Sequence, residues 1–359
     1  MKMYVHGSFM NDNFGDFLLY DIVVDYLLKK HPNMEVFSKN VSKTYDQLQV
    51  VNRKTDKEIL EIANLAILAG GGYFGQPGRP VLDHYWNYNF LKNHAFFLKK
   101  LADKKIPYII IGVGVGPISW PIGKKLTKYI FENAQHIVVR DKESRDYCKD
   151  VLKISKAIDI LPDLVMGCDI ERYILDVPQT SEVNQDEKKI ALHLTTKNRG
   201  NGEGIDCVLK DLIRYKNANK KDHFYLVCDQ NSEKQRERAN EIKNLLGNEN
   251  VSIMEYIDPY HLCTLLSEMN IIITDKLHVG IVGTRLGKHV ISVSSHVKIG
   301  RFYNQMGREN FSIRLKDLKD GDIFNLLNQF PWKLNNINNF ILKSKESFNQ
   351  IDYFVNKMK

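Results

Sequence analysis

The chain has 359 residues, more than one ordinary core supports, so two domains are expected. Its 43% hydrophobic content excludes a disordered chain. Five cysteines at positions 148, 168, 207, 228 and 263, with no C-x-x-C pair and no zinc spacing, exclude a disulfide scaffold or a structural zinc site. A net charge of +8 admits an anionic partner, but no arginine-rich run interleaved with aromatics is present, which argues against nucleic acid.

The opening segment MKMYVHGSFMNDNFGD lacks the apolar core of a secretory signal. The longest apolar stretch, 108–118, is interrupted by three glycines and too short for a membrane span. Both features, with the unpaired cysteines, point to a cytoplasmic protein. Short apolar runs at 3–6, 35–38, 65–69, 108–113, 137–140 and 157–160 read as strands. Helical periods at 17–30 and 85–104 separate some of them. This alternation predicts a parallel sheet covered on both faces.

A polar stretch, DVPQTSEVNQDEK at 176–188, reads as a linker. The rhythm then restarts, with strands expected at 190–194, 224–228, 252–256, 271–274 and 290–293. Helices are expected at 205–215, 233–246, 259–269 and 279–286. The fold class is therefore α/β, with two Rossmann-like domains, 1–175 and 189–330, facing a central cleft. Apolar residues at Ile337, Phe340, Ile341, Phe348, Ile351 and Val355 follow helical spacing. They predict an amphipathic C-terminal helix within 331–359 that packs across both domains. The lysines around it offer a membrane surface as the rival reading.

In an open parallel sheet, ligands gather at the carboxyl ends of strands, and four such ends carry unusual residues. In NDNFGD, Asn13 and Asp16 are candidates to touch an acceptor hydroxyl, although Asp16 also suits a helix cap. In AGGGYFG, Gly71 and Gly72 let a backbone approach a ligand or another strand, without the G-x-G-x-x-G spacing of a dinucleotide site. In VVRDKES, Arg140 ends a strand and can hold a carboxylate or phosphate, or pair with a neighbouring acid. In IIITDKLHVGIVGTRLGKHVISV, Lys276 and His278 sit where a strand turns into a helix. Positive groups there oppose the helix dipole by ~0.3–1 kcal/mol each, which a bound anion would offset. An imidazole there can donate a proton near neutral pH, or serve as a buried structural histidine.

The order NFGD, AGGGYF, GVGVGP, VVRDKES, LPD, TDKLHVGIVGTRLGKHVISV and a later lysine in HVKIGRFYNQMG resembles the polysaccharide pyruvyl transferase family across roughly residues 4–310. The resemblance implies a GT-B-like pair of Rossmann domains. It also implies transfer of a pyruvyl group from phosphoenolpyruvate to a sugar, commonly as a ketal. The family's Arg-Leu-His motif falls on Lys276, Leu277 and His278, and its other arginine on Arg140. These positions are implied to bind phosphoenolpyruvate, with His278 catalytic. Lysine in place of arginine keeps the charge and loses the planar fork, which Arg199 could supply. Lys298 joins the substrate-binding candidates.

Asp16 or Asp163 could accept the hydroxyl proton, although Asp163 equally suits a turn. No metal or cofactor beyond the co-substrate is expected. The acceptor is expected to be a polysaccharide sugar or its lipid-linked precursor, with peripheral contact at the membrane inner face compatible. A GT-B glycosyltransferase using a nucleotide sugar is the alternative, and a non-enzymatic basic module that binds acidic glycan or membrane is the third reading.

Overall fold

A computed structural model describes residues 1–10, 12–39, 41–47, 52–77, 80–176, 187–195, 203–294 and 297–359. The chain divides into two compact units. The first comprises residues 1–12, 16–168 and 338–359, and the second comprises 13–15 and 169–337. Most of the proposed linker, and Arg199, lie outside the described residues.

The first unit holds a six-stranded sheet: β1 (Lys2–His6), β2 (Glu35–Ser38), β3 (Leu65–Phe74), β4 (Tyr108–Val115), β5 (His136–Val139) and β6 (Asp159–Ile160). Its order is β2-β1-β3-β4-β5-β6, and every pairing is parallel. The central strands LAILAGGGYF and YIIIGVGV are buried nearly end to end, because helices cover both faces and neither face can tolerate polar alternation. The expected strand at 65–69 runs on through the glycines to Phe74. Gly71 has φ +101°, and the register against β4 shifts between Gly71 and Phe74. A side chain at Gly71 would be strained there.

The second unit holds β7 (Lys189–His193), β8 (His223–Val227), β9 (Val251–Met254), β10 (Ile271–Thr274), β11 (His289–Ser294) and β12 (Ser312–Arg314). All pairings are again parallel, in the order β12-β11-β10-β7-β8-β9. Numbered within the unit, this is 3-2-1-4-5-6 read from β9, the order of dinucleotide-binding sheets. Sequence pattern did not anticipate β12, whose three residues are too few to show a period.

The C-terminal helix spans Asn338–Lys357 and is amphipathic as expected. It is counted with the first unit. Phe348, Ile351, Phe354 and Val355 are buried. The Ser344 hydroxyl donates to the Asp163 carbonyl at 2.7 Å, and the Tyr26 hydroxyl donates to Asp352 at 2.6 Å. Gly167 makes the approach possible, since a Cβ there would lie 2.8 Å from the backbone of Lys345.

Candidate active site

In the second sheet the connections leave β7 toward β8 and β10 toward β11, in opposite directions, so a crevice opens at the carboxyl ends of β7 and β10. His193 and Thr274 are register partners at that edge. Beyond them the chain supplies Thr195, Asp275, Lys276 and the helix Leu277–Arg285.

Lys276 is the N-cap of that helix, and its amide donates to the Thr274 hydroxyl at 3.0 Å. Its ammonium, 41% exposed, lies 3.9 Å from Oδ2 of Asp229, which follows β8 and is buried. That carboxylate offsets part of the charge that sequence alone left for a bound anion. Leu277 is buried and anchors the first turn. His278 stands in the same turn and is partly buried. The ring of His278 packs against the backbone of Gly15, where a Cβ would come within 1.9 Å of Nδ1. Segment 13–15 belongs to this unit, and the Phe14 amide donates to the Asp229 carbonyl at 3.1 Å. The glycine in NFGD is therefore needed for close approach to His278.

Beneath these groups lies a cluster that sequence reasoning missed. His193, completely buried, places Nε2 3.3 Å from Asp229 Oδ1 and Nδ1 3.6 Å from Asp275 Oδ1. Burial alone would push this imidazole down, but the charges and hydrogen bonding of Asp229 and Asp275 prevail and lift it to about 9. His193 is therefore protonated at neutral pH. Burial likewise opposes the charge on Asp229. The attraction of His193, then of Lys276, together with a Gln235 hydrogen bond of 2.5 Å, holds the carboxyl well below its usual range. Asp275 accepts from the Thr195 amide at 2.9 Å and from its hydroxyl at 3.1 Å. Two buried carboxylates, a buried imidazolium and a half-exposed ammonium balance one another. The available signal was an aspartate directly after an apolar strand, at both VCD and IITD. A lone strand-end histidine reads as core, and residues 193, 229 and 275 meet only once the strand order is known.

The remaining candidates fall in the first unit, or elsewhere on the second. Arg140 follows β5 and is buried, with Nη1 3.3 Å from Asp163 and Nε 3.8 Å from Asp141. Gly114 leaves room for its guanidinium, since a Cβ there would lie 2.8 Å from Nη2. Asp163 caps the short helix Leu164–Gly167 through the Val165 amide, as its turn-like context suggested. Asp141 caps the helix Lys142–Asp146 through the Ser144 amide at 2.7 Å. Asp16 sits in the first turn of the helix Phe14–Lys30. Asn13 belongs with the second unit. Gly71 and Gly72 lie in the irregular part of β3, and Lys298 is exposed on the helix Val297–Gln305. Among the described residues no group of three or more His, Cys, Asp or Glu side chains could hold a metal ion.

No curated protein sequence matches the chain. Solved structures with similar architecture include the UDP-GlcNAc 2-epimerase of Neisseria meningitidis bound to UDP-GlcNAc, with TM-score 0.60 and 14% identity, covering 99% of this chain and 100% of that one. Another is the UDP-GlcNAc 2-epimerase of Methanocaldococcus jannaschii in complex with UDP-GlcNAc and UDP, with TM-score 0.62 and 12% identity, covering 99% of each chain. A glycosyltransferase of Rickettsia africae has TM-score 0.56 and 13% identity, covering 97% of this chain and 92% of that one. At these identities the likeness concerns the fold, which is GT-B-like. The family profile described as polysaccharide pyruvyl transferase matches residues 13–297, a span that runs from the loop against His278 through β10 and the helix carrying Lys276 and His278. The chain belongs to the polysaccharide pyruvyl transferase family.

Proposed function

We propose that the protein transfers a pyruvyl group from phosphoenolpyruvate to a sugar of a polysaccharide, or of its lipid-linked precursor, and leaves it as a ketal. The observation that carries this reading is the pairing of Lys276, the N-cap of a helix in the switch-point crevice, with His278 in the first turn of that helix, in a chain of this family. Phosphoenolpyruvate is a small trianion when fully ionised. The amides of a helix's first turn, its positive end and an ammonium are suited to it.

His278, when protonated, would donate to the methylene carbon of the donor, turning CH2 into CH3 and leaving an oxocarbenium-like centre at C2. A sugar hydroxyl adds to C2, and its proton passes to a base, for which Asp16 and Asp163 are the candidates. Phosphate departs with the proton held by that base and reopens C2, and a second hydroxyl closes the ketal, returning its proton to the imidazole. The sum is donor plus diol giving pyruvate ketal and inorganic phosphate. No metal or cofactor enters this scheme. The buried His193–Asp229–Asp275 array would hold Lys276 and the start of its helix in place. Arg140 remains a proposed substrate-binding residue, and any anion reaching it would share it with Asp163 and Asp141.

The test is incubation with phosphoenolpyruvate and a panel of galactose, mannose and N-acetyl-hexosamine glycosides, read as free phosphate and a new ketal methyl resonance. His278→Ala is expected to lower turnover by roughly 10²–10⁴-fold with the fold intact. Normal turnover in the folded variant would end the assignment. A second reading, glycosyl transfer from a nucleotide sugar, draws on the 3-2-1-4-5-6 sheet and on the UDP-GlcNAc carried by similar folds. Thermal protection separates them, by phosphoenolpyruvate in the first case and by a nucleoside diphosphate in the second.

A further inference from the structure

Between His84 and Tyr129 the chain carries eight lysines, one carboxylate and no arginine, in a protein whose whole net charge is +8. This segment builds two helical stretches of the first unit. One runs Pro80–Phe90, through a π turn at Leu91–Ala95, into Phe96–Asp103, and the other is Pro121–Asn133. Their inner faces are satisfied by Leu91, Phe97, Leu98 and Leu101 on one and by Leu126, Ile130 and Phe131 on the other, all buried.

The outer face has a different composition. Tyr85, Tyr88, Lys92 and Phe96 are exposed along the first stretch, and Lys99 after the π turn is half-exposed. Tyr85, Tyr88 and Phe96 are 46–63% exposed, and Trp86 beside them is 42% exposed. Ile122, on the second helix, is 47% exposed. The two helices are tied at both ends. The Trp120 indole donates to Nδ1 of His84 at 3.2 Å, while the Lys99 ammonium lies 5.4 Å from the ring of Tyr129. The core has no use for these apolar groups.

We propose that this face docks the protein on an anionic lipid bilayer. Tryptophan and tyrosine settle at the headgroup level, lysines reach up along apolar surface to anionic headgroups, and Phe96 and Ile122 gain by leaving water for acyl chains. A hydrated polyanion would match the lysines but would gain nothing from phenylalanine and isoleucine side chains that cannot hydrogen-bond. The proposal is independent of the pyruvyl-transfer reading, because it is tested with no donor or acceptor present.

The full chain is mixed with vesicles of phosphatidylcholine, with and without phosphatidylglycerol, and sedimented. Binding is expected only to the anionic vesicles, weakening as salt rises. A blue shift of tryptophan emission on binding is expected to vanish in Trp86→Phe. The triple variant Tyr85→Ser, Phe96→Ser, Ile122→Ser is expected to lose ~10-fold or more in partitioning. A control at Leu245→Ser and Ile257→Ser, exposed elsewhere, is expected to keep it. Circular dichroism verifies that each variant is folded. Equal sedimentation of the triple variant, equal loss in the control, absence of vesicle binding, or binding only to a soluble acidic polysaccharide would each overturn the proposal.

Discussion

The first strand of each sheet begins with lysine and ends in a buried histidine, KMYVH in β1 and KIALH in β7, yet the two imidazoles hold opposite charge states. His6 accepts or donates to the Tyr4 hydroxyl at 2.7 Å and to His94 at 3.0 Å. Burial, then His94 and Lys39, keeps it well below the ordinary imidazole value, and burial with Lys39 brings His94 down to about 3. His193 is at least as deeply buried but faces Asp229 and Asp275, so it stays protonated up to about 9. Both histidines end the strand beside a switch point. Depth does not decide the charge of such a group. What decides it is whether the neighbours are rings and hydroxyls or carboxylates.

The comparison breaks most sharply under substitution. His193→Leu would leave two carboxylates buried without their cation, which costs about 3–5 kcal/mol. His6→Leu removes a neutral partner from Tyr4 and His94 and should cost only about 1–3 kcal/mol. Denaturant unfolding followed by hydrogen exchange in each unit measures both. Equal losses would show that His193 is not the cation of its cluster.

Acidity offers the next test, with opposite signs in the two units. The raised value of His193 gives stability that is complete below its unfolded pKa near 6.5 and is lost as pH rises through 9, about 3 kcal/mol over that interval. The lowered value of His94 works the other way. Its contribution is present above 6.5 and fades as pH falls, by about 2 kcal/mol at pH 5. Amide exchange should therefore show the second unit loosening in alkali and the first in acid. Matching profiles in both units would contradict the assignment.

Much of the architecture is legible in the sequence. Buried runs such as YIIIGVGV announce central parallel strands, and alternation with helical periods announces two sheets. The terminal helix showed its apolar stripe but not its seat, because a stripe does not name its partner. Lys276 and His278 stood out because they violate the usual charge at a helix start. His193 and Asp229 did not, because each is unremarkable among its sequence neighbours and acquires meaning only from strand order. The capping roles of Asp141 and Asp163, and the pairing of Arg140 with its neighbour Asp141, were within reach of local pattern, whereas the contact of Arg140 with Asp163 spans 23 residues and was not.

Gly15→Ala separates the charge cluster from the imidazole above it. The new methyl would meet the ring of His278, and accommodating it costs about 1–3 kcal/mol in displaced side chain or backbone. Turnover should fall by roughly 10-fold or more, while the alkaline loosening set by His193 stays where it was. If both change together, His278 and the His193 cluster are not separable and the division of labour proposed for them fails.

The smallest effect concerns the residue that departs from the family motif. Lys276 offers one ammonium, already 3.9 Å from Asp229, where a guanidinium would offer a planar fork. Lys276→Arg keeps the charge that holds Asp229 low, so neither pH profile should move. The fork can grip a carboxylate or phosphate through two parallel bonds, so the KM for phosphoenolpyruvate should drop by about 2–10-fold with kcat nearly unchanged. The split between the two constants carries the information, because a group that only binds the donor changes KM alone. A fall in kcat would instead mean that Lys276 acts on the transition state, and that the cluster beneath it is tuned to an ammonium rather than to charge as such.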